Sequence, residues 1–461
     1  MAKYFLIFLV VFTSPILAQS TVSDDDALYI KDIHNATLTS NQAFDWLYHL
    51  SENIGGRLAG SVAAESAVEY TKSIMDTLGF TKVWKQPCEV VRWNRGEKEQ
   101  VTVHIGKTFH ELNALALGNS IGTSENGIYA DVVEVKSLEE VDKLGREGVE
   151  GKIVFYNRPM DPTKIRTFNA YGGAVDQRVY GASKAAEYGG LASIVRSMTL
   201  AQDDVPHTGT LVYKEDQPKV PGLAISTNDA NFLSAQLKEQ PVKMYIKTSC
   251  TPGDTAQSYN VIGEIKGSEH PEKIILVGGH LDSWDVGGGA HDDGSGCVHA
   301  LQVIQTLNEI GYRPRHTIRC VMFMNEENGL AGGRTYAEVA NEKNEFHLAA
   351  IESDSGGFVP RSFSFDGHAE NFNDFYAAVS KWTPLFESYG ILFETGGSGA
   401  DIGPLKNQKG LLAGLRTDSQ KYFDYHHTDK DRIEAVNKRE LQLGAAAMTS
   451  LVYLIDKYGL E

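Results

Sequence analysis

Apolar positions recur with two different periods along this chain. Ala64, Val68, Tyr70, Ile74 and Leu78 fall at helical spacing between Gly60-Ser61 and Gly79, which predicts one helix with a buried face. Val101-Thr102-Val103-His104-Ile105 instead alternates as a half-buried strand does. The middle of the chain has a different texture. Gly151 opens a continuous apolar run, Lys152-Ile153-Val154-Phe155-Tyr156, followed by the small-residue helix GASKAAEYGG from Gly181 to Gly190. Leu191–Val195 and Pro221-Gly222-Leu223-Ala224-Ile225 read as further short strands. Together they predict a compact inserted βα module from about Gly118 to about Thr251.

From Asn260 onward strands and helices alternate. Strands are expected at Lys273–Gly278, Thr317–Met324, Phe346–Ile351 and Leu411–Leu415. Helices are expected at Gly296–Leu307 and Leu330–Val339, and Arg439–Tyr458 closes the chain. Such alternation predicts an α/β fold with a mostly parallel central sheet and helices on both faces. The resulting division is 1–18, 19–117, 118–251 and 252–461, the first being a leader.

The leader reading rests on MAKYFLIFLVVFTSPILAQS, with basic Lys3, an apolar run from Tyr4 to Phe12, Pro15, and small Ala18 before Gln19. This is a secretory signal pattern with cleavage after Ala18. The run is short for a membrane span, and no later stretch is long enough for one. A secreted or periplasmic protein with no membrane span is therefore expected. The 461 residues carry 43 Lys and Arg against 60 Asp and Glu, a formal charge of −17. That balance excludes nucleic acid as a partner, because phosphates need a basic patch. Cys88, Cys250, Cys297 and Cys320 form no CxxC pair, so a thiolate zinc site is not expected. Cys297 and Cys320 read as buried thiols, and the sequence leaves a Cys88–Cys250 disulfide open.

The remaining question is whether some carboxylates do chemistry. His280-Leu281-Asp282, His291-Asp292-Asp293-Gly294-Ser295-Gly296, Glu326-Glu327, Glu352-Ser353-Asp354 and His426-His427 all follow expected strands, and open α/β sheets place their sites at such strand exits. Taken singly, each motif has an ordinary reading: a capped turn, a helix N-cap, a solvated acidic pair. His207 and His299 stay with that ordinary reading. Co-occurrence changes the balance, since carboxylates gathered at one sheet edge repel unless cations neutralise them. Imidazoles with carboxylates and no thiolate suit Zn²⁺, and one shared Asp can bridge two ions about 3.5–4 Å apart.

These motifs, and the phrase GHLDSWDVGGGAHDDGSG at 279–296, resemble the co-catalytic dizinc aminopeptidase and glutamate carboxypeptidase family of metallopeptidases. The resemblance runs from about Gly55 to the C-terminus. It implies two Zn²⁺ per subunit, with His280, Asp292, Glu327, Asp354 and His427 as ligands and Asp292 bridging. It also implies Asp282 orienting His280, Glu326 as general base, and His426, Asp293, Asp401 and Tyr422 as candidate substrate contacts. His427 is chosen over His426 as a ligand because Thr428 and Asp431 follow it; Arg432 stands where the family has Thr. The resemblance further implies that 118–251 is a protease-associated-like wall of the cleft, that 19–117 and 252–461 form the peptidase domain, and that dipeptides or short peptides are hydrolysed by a homodimer. Alternatives are a broader aminopeptidase on longer peptides, a single-zinc glutaminyl cyclase, and a non-catalytic binding protein. The intact ligand set and Glu326 argue against the last two.

Overall fold

Two eight-stranded sheets organise residues 23–460, which the computed structural model describes. The expected leader lies outside the described residues. The first sheet runs Lys82–Asn94, Thr251–Ile265, His316–Phe323, His270–His280, Phe346–Ser353, Leu411–Thr417, Pro360–Gly367, Leu392–Thr395. Its centre, from His316–Phe323 to Leu411–Thr417, is parallel, and antiparallel pairs flank it on both sides.

Successive residues of a strand face opposite ways, and the burial of these strands shows what each face meets. Ile275, Val277, Ile318, Cys320, Met322, Ala349 and Ile351 join one core, which includes residues of Asp24–Thr39, Ser295–Glu309 and Lys438–Tyr458. Leu276, Val321, Phe323 and Ala350 join a second core with Tyr336 and Ala337 of helix Ala331–Glu342. Helices thus cover both faces, which is why the central strands read as unbroken apolar runs rather than alternating ones. The expected strands and helices are all present, most extended by one or more residues. The N-terminal helix belongs to the body: Asp26 accepts hydrogen bonds from Tyr453 (2.9 Å), Tyr458 (2.6 Å) and Lys457 (2.5 Å).

The second sheet runs Thr108–Glu111, Gln100–Ile105, Lys243–Lys247, Ile128–Val135, Ile153–Tyr156, Ala192–Arg196, Gly222–Ile225, Ala114–Ala116. All of its strands lie between the first two strands of the first sheet, which pair antiparallel with Asn94 opposite Thr251. This differs from the expected start at 118, because three strands of the second sheet precede that residue. Of these, Thr108–Glu111 is exposed throughout and Ala114–Ala116 has three residues, so neither leaves a clear apolar rhythm. All four cysteines are buried free thiols, Cys88 and Cys250 in different cores. Among the described residues no helix is long and apolar enough to cross a membrane.

Candidate metal centre

The parallel strands deliver the acidic and imidazole motifs to one edge. His280 ends its strand, and its Nδ1 hydrogen-bonds the backbone carbonyl of Asp282 at 3.0 Å. That turns Nε2 toward Asp292 Oδ1 (3.3 Å) and Asp354 Oδ1 (3.8 Å). On the other side of Asp292, Oδ2 lies 3.2 Å from His427 Nε2 and 3.7 Å from His426 Nε2. His427 Nε2 is also 3.3 Å from Glu327 Oε2. Asp292 therefore stands between two clusters, His280 with Asp354 and His427 with Glu327.

The backbone around Asp292 is held from three directions. Asp431 accepts the His291 N–H (2.7 Å) and the Asp292 N–H (3.1 Å). Asp293, joined to Asp292 by a cis peptide, accepts the His280 N–H (3.1 Å) and the Gly296 N–H (2.9 Å). Arg57, fully buried, donates to the carbonyls of Leu281 (2.5 Å), Gly288 (2.7 Å) and Gly289 (2.9 Å). Gly289 has φ +56°, and a Cβ there would lie 2.3 Å from that of Ser283 and 2.8 Å from Arg57 Nη1. The glycine run in 279–296 is thus what lets the loop close on the guanidinium. On the far side, His427 Nδ1 is 3.3 Å from the Thr208 carbonyl and His207 Nδ1 is 2.9 Å from the His426 carbonyl. The second sheet's loop therefore braces the two histidines.

Three expectations change. The Asp282 carboxylate does not bond His280, from which it stands 3.8 Å away. It accepts instead the N–H groups of Asn325 (2.7 Å), Glu326 (3.0 Å) and Glu327 (3.3 Å), so it fixes the turn that aims the two glutamates. Asp293 and Asp401, expected to touch substrate, are both 0% exposed. Both oxygens of Asp293 are occupied by backbone N–H groups, and Asp401 lies against the Gly333 backbone position. His426, a candidate substrate contact, lines the groove; its ring also stacks on His427 at 3.5 Å and falls within ligand distance of Asp292. Tyr422 does line the groove, beside His426 at 5.2 Å. Sequence reasoning passed over Arg57 and Thr208, and used Asp431 only as a spacing marker. A lone Arg and a Thr carry no motif, and their partners are backbone atoms distant in sequence.

The electrostatics follow from burial and crowding. Burial, with Asp354, Glu327 and Asp292 nearby, holds Glu326 well above the usual carboxylate range. Burial and Asp292 push Glu327 up to about 7. Burial alone would lower His427, but Glu327 and Asp292 raise it to about 9. His280 is likewise held well above its ordinary value by Asp292 and Asp354 against the effect of burial. Burial lowers His207 to about 3, so it stays neutral.

The residues present fit a metal. His280 Nε2, Asp292 Oδ2 and Glu327 Oε1 are buried without a hydrogen-bond partner, an arrangement that is unfavourable unless something completes it. Two triads, His280-Asp292-Asp354 and Asp292-His426-His427, have ligand atoms mutually within 4.8 Å. Mixed imidazole and carboxylate donors are those of zinc sites. A groove of about 440 Å³, lined by Glu326, Asp354 and Tyr422 among others, opens onto both triads.

Known proteins resemble this chain in sequence and in fold. The model of peptidase family M28 matches residues 260–452. Carboxypeptidase Q of Bos taurus is 32% identical over 429 residues, covering 92% of this chain and 88% of that protein. The crystal structure of a peptidase M28 precursor from Shewanella amazonensis SB2B superposes with a TM-score of 0.90 at 30% identity, covering 95% of this chain and 98% of that one. BSAP, a zinc aminopeptidase from Bacillus subtilis, shares the fold with a TM-score of 0.64 at 21% identity, over 91% of this chain and 96% of that one.

Proposed function

The chain belongs to peptidase family M28, and from that premise we propose that it is an exported zinc exopeptidase that hydrolyses dipeptides or short peptides. The observation that carries the reading is the shared Asp292. It lies 3.3 Å from His280 on one side and 3.2 Å from His427 on the other, with an unpartnered acid or imidazole atom in each cluster. In this reading two Zn²⁺ are held, one by His280, Asp292 and Asp354, the other by Asp292, Glu327 and His427. When bound, zinc lowers the pKa of coordinated water and polarises the peptide carbonyl.

The chain's own residues supply the rest. Glu326 borders the groove while its N–H is tied to Asp282, so its carboxylate is aimed but not consumed by the fold. It accepts the proton of the attacking water and returns it to the departing amine. Asp282 acts as a positioning residue through the 325–327 turn. The loop carrying Thr208 and His207 braces the two histidines, which supports reading the second sheet's unit as a protease-associated-like wall of the cleft. Export rests on the leader pattern at 1–18, and a homodimer on the family resemblance.

Glu326→Gln tests the mechanism. It is expected to bind zinc with the wild-type stoichiometry of two, measured by metal analysis, while dipeptide hydrolysis falls by about 10²–10⁴-fold. Retained hydrolysis removes Glu326 from the mechanism, and a stoichiometry of one removes the two-ion centre.

A further inference from the structure

One of the candidate metal ligands is held in place by the segment that carries the second sheet. His427 has φ +62°, in the left-handed region that a residue other than glycine enters at a cost. Such a conformation persists where the surrounding structure imposes it. Thr208 does so from both ends. Its N–H donates to the His427 carbonyl (3.0 Å), and its own carbonyl lies 3.3 Å from His427 Nδ1. That pairing leaves Nε2 facing Asp292 and Glu327.

Thr208 is fixed in turn by Arg95, which follows strand Lys82–Asn94. The Thr208 hydroxyl donates to the Ala116 carbonyl (2.8 Å), and Arg95 Nη1 donates to the same oxygen. Arg95 also forks across the Asp285 carboxylate, Nε to Oδ2 at 2.9 Å and Nη2 to Oδ1 at 2.6 Å. Two parallel N–H···O bonds are the strong and direction-specific form of this pair. The guanidinium is buried and lies 4.9 Å over the Trp93 ring, so solvent screens the fork little. Asp285 belongs to the catalytic sheet's side, in the loop between His280 and Asp292. Its neighbour Trp284 is buried in the core of the second sheet, where a Cβ on Gly118 would come within 1.8 Å of the indole. The Trp284 ring lies 5.6 Å from that of His427.

We propose that Arg95 is a positioning residue for His427, and that its fork on Asp285 makes the affinity of one metal ion depend on how the second sheet docks. The proposal rests on the two-ion reading given above. The path runs from Asp285 through Arg95, the Ala116 carbonyl and Thr208 to His427. It reaches the ion held by Asp292, Glu327 and His427. The ion held by His280, Asp292 and Asp354 is outside it, because His280 is oriented by the Asp282 carbonyl of its own sheet.

The test titrates zinc into the metal-free full chain against a chromogenic chelator, giving two stepwise dissociation constants for wild type, Arg95→Gln, Arg95→Lys, Asp285→Asn and Arg166→Gln. Arg166 pairs with Glu394 across the same two sheets but outside this path, so it controls for docking contacts in general. Arg95→Gln and Asp285→Asn are each expected to weaken one ion by about 10–100-fold, with the other changed by less than about threefold. In a His427→Ala background, Arg95→Gln is expected to shift the remaining ion by less than about twofold, since the two changes then act on one lost site. Arg95→Lys keeps the charge without the fork and is expected to fall between wild type and Arg95→Gln. Arg166→Gln is expected to bind both ions as wild type does. Urea unfolding of each metal-free variant accompanies the titration. Asp285→Asn alters the more exposed partner and leaves Arg95 beside Glu99 at 3.6 Å, so it carries the test if Arg95→Gln does not fold. Wild-type affinity for both ions in Asp285→Asn, equal weakening of both ions, or the same selective loss in Arg166→Gln overturns the role of Arg95 alone. A wild type that binds one zinc overturns the two-ion reading and this proposal together.

Discussion

Replacing Arg57 by Met removes the guanidinium while keeping a long apolar stem. Arg57 is enclosed and donates three N–H···O bonds, to Leu281, Gly288 and Gly289. Each charged hydrogen bond is worth roughly 1.5–3 kcal/mol, a gross loss of about 4–9 kcal/mol. Against that, the variant no longer buries a charge, and removing one partner of a buried charged cluster nets about 3–5 kcal/mol in comparable cases. Asp431, Asp282 and Asp293 all lie within electrostatic range of the guanidinium, so the loss falls on the acids that hold the metal loop. Urea unfolding of the metal-free variant is expected to show that loss. Zinc titration is expected to show affinity lowered by at least about tenfold, the usual effect of disturbing residues behind metal ligands. Arg57→Lys, which can reach one carbonyl, is expected to fall between. Stability lowered by 3–5 kcal/mol with wild-type zinc affinity would refute the idea that the clamp shapes the metal site.

Asp282→Asn keeps an acceptor for part of the 325–327 turn but presents an NH₂ to the remaining N–H groups; kcat/KM is expected to fall about 10–100-fold with weakened zinc binding, and unchanged kinetics would show that the turn does not need the carboxylate. His299 and His347 give a pH prediction. Burial lowers both from 6.5 to about 4, so the unfolded chain takes up their protons first as pH falls. Their contribution is therefore complete above about pH 6.5 and is lost toward pH 4, about 2 kcal/mol each by pH 5. His347→Gln is expected to flatten the dependence of the urea midpoint on pH across that window, and an unaltered slope would remove His347 from the account.

Much of this was legible in the sequence because it is periodic or local. Continuous apolar runs such as Ile274–Val277 predict strands buried on both faces, and HxD, the paired Asp and the paired Glu mark the strand exits by residue type alone. What stayed hidden depends on backbone atoms far apart in the chain. Asp282 reads as a partner of His280 because they are two residues apart, yet its carboxylate is claimed by N–H groups of residues 325–327. Asp401 looks like any acid near a glycine-rich turn, and only the three-dimensional packing encloses it. The edge of the second sheet was missed because short or exposed strands carry little hydrophobic signal.

The opposition of Asn94 and Thr251 has a topological consequence. To the catalytic sheet, everything between these two residues is one hairpin loop whose ends are already paired. Closing such a loop has an entropy that grows only slowly with its length, so the segment is free to be enlarged, shortened or exchanged with little effect on the sheet that bears the metal ligands. The exceptions are where the segment touches back: the Thr208 carbonyl beside His427, His207 beside the His426 carbonyl, Arg95 donating to Asp285 (2.6 Å), Thr167 donating to the Ser419 carbonyl (2.7 Å), and the packing of Trp284, Tyr422 and Phe423 into the segment's apolar cores. Any graft that replaces the segment must reproduce these contacts if the catalytic sheet is to keep its support at the groove.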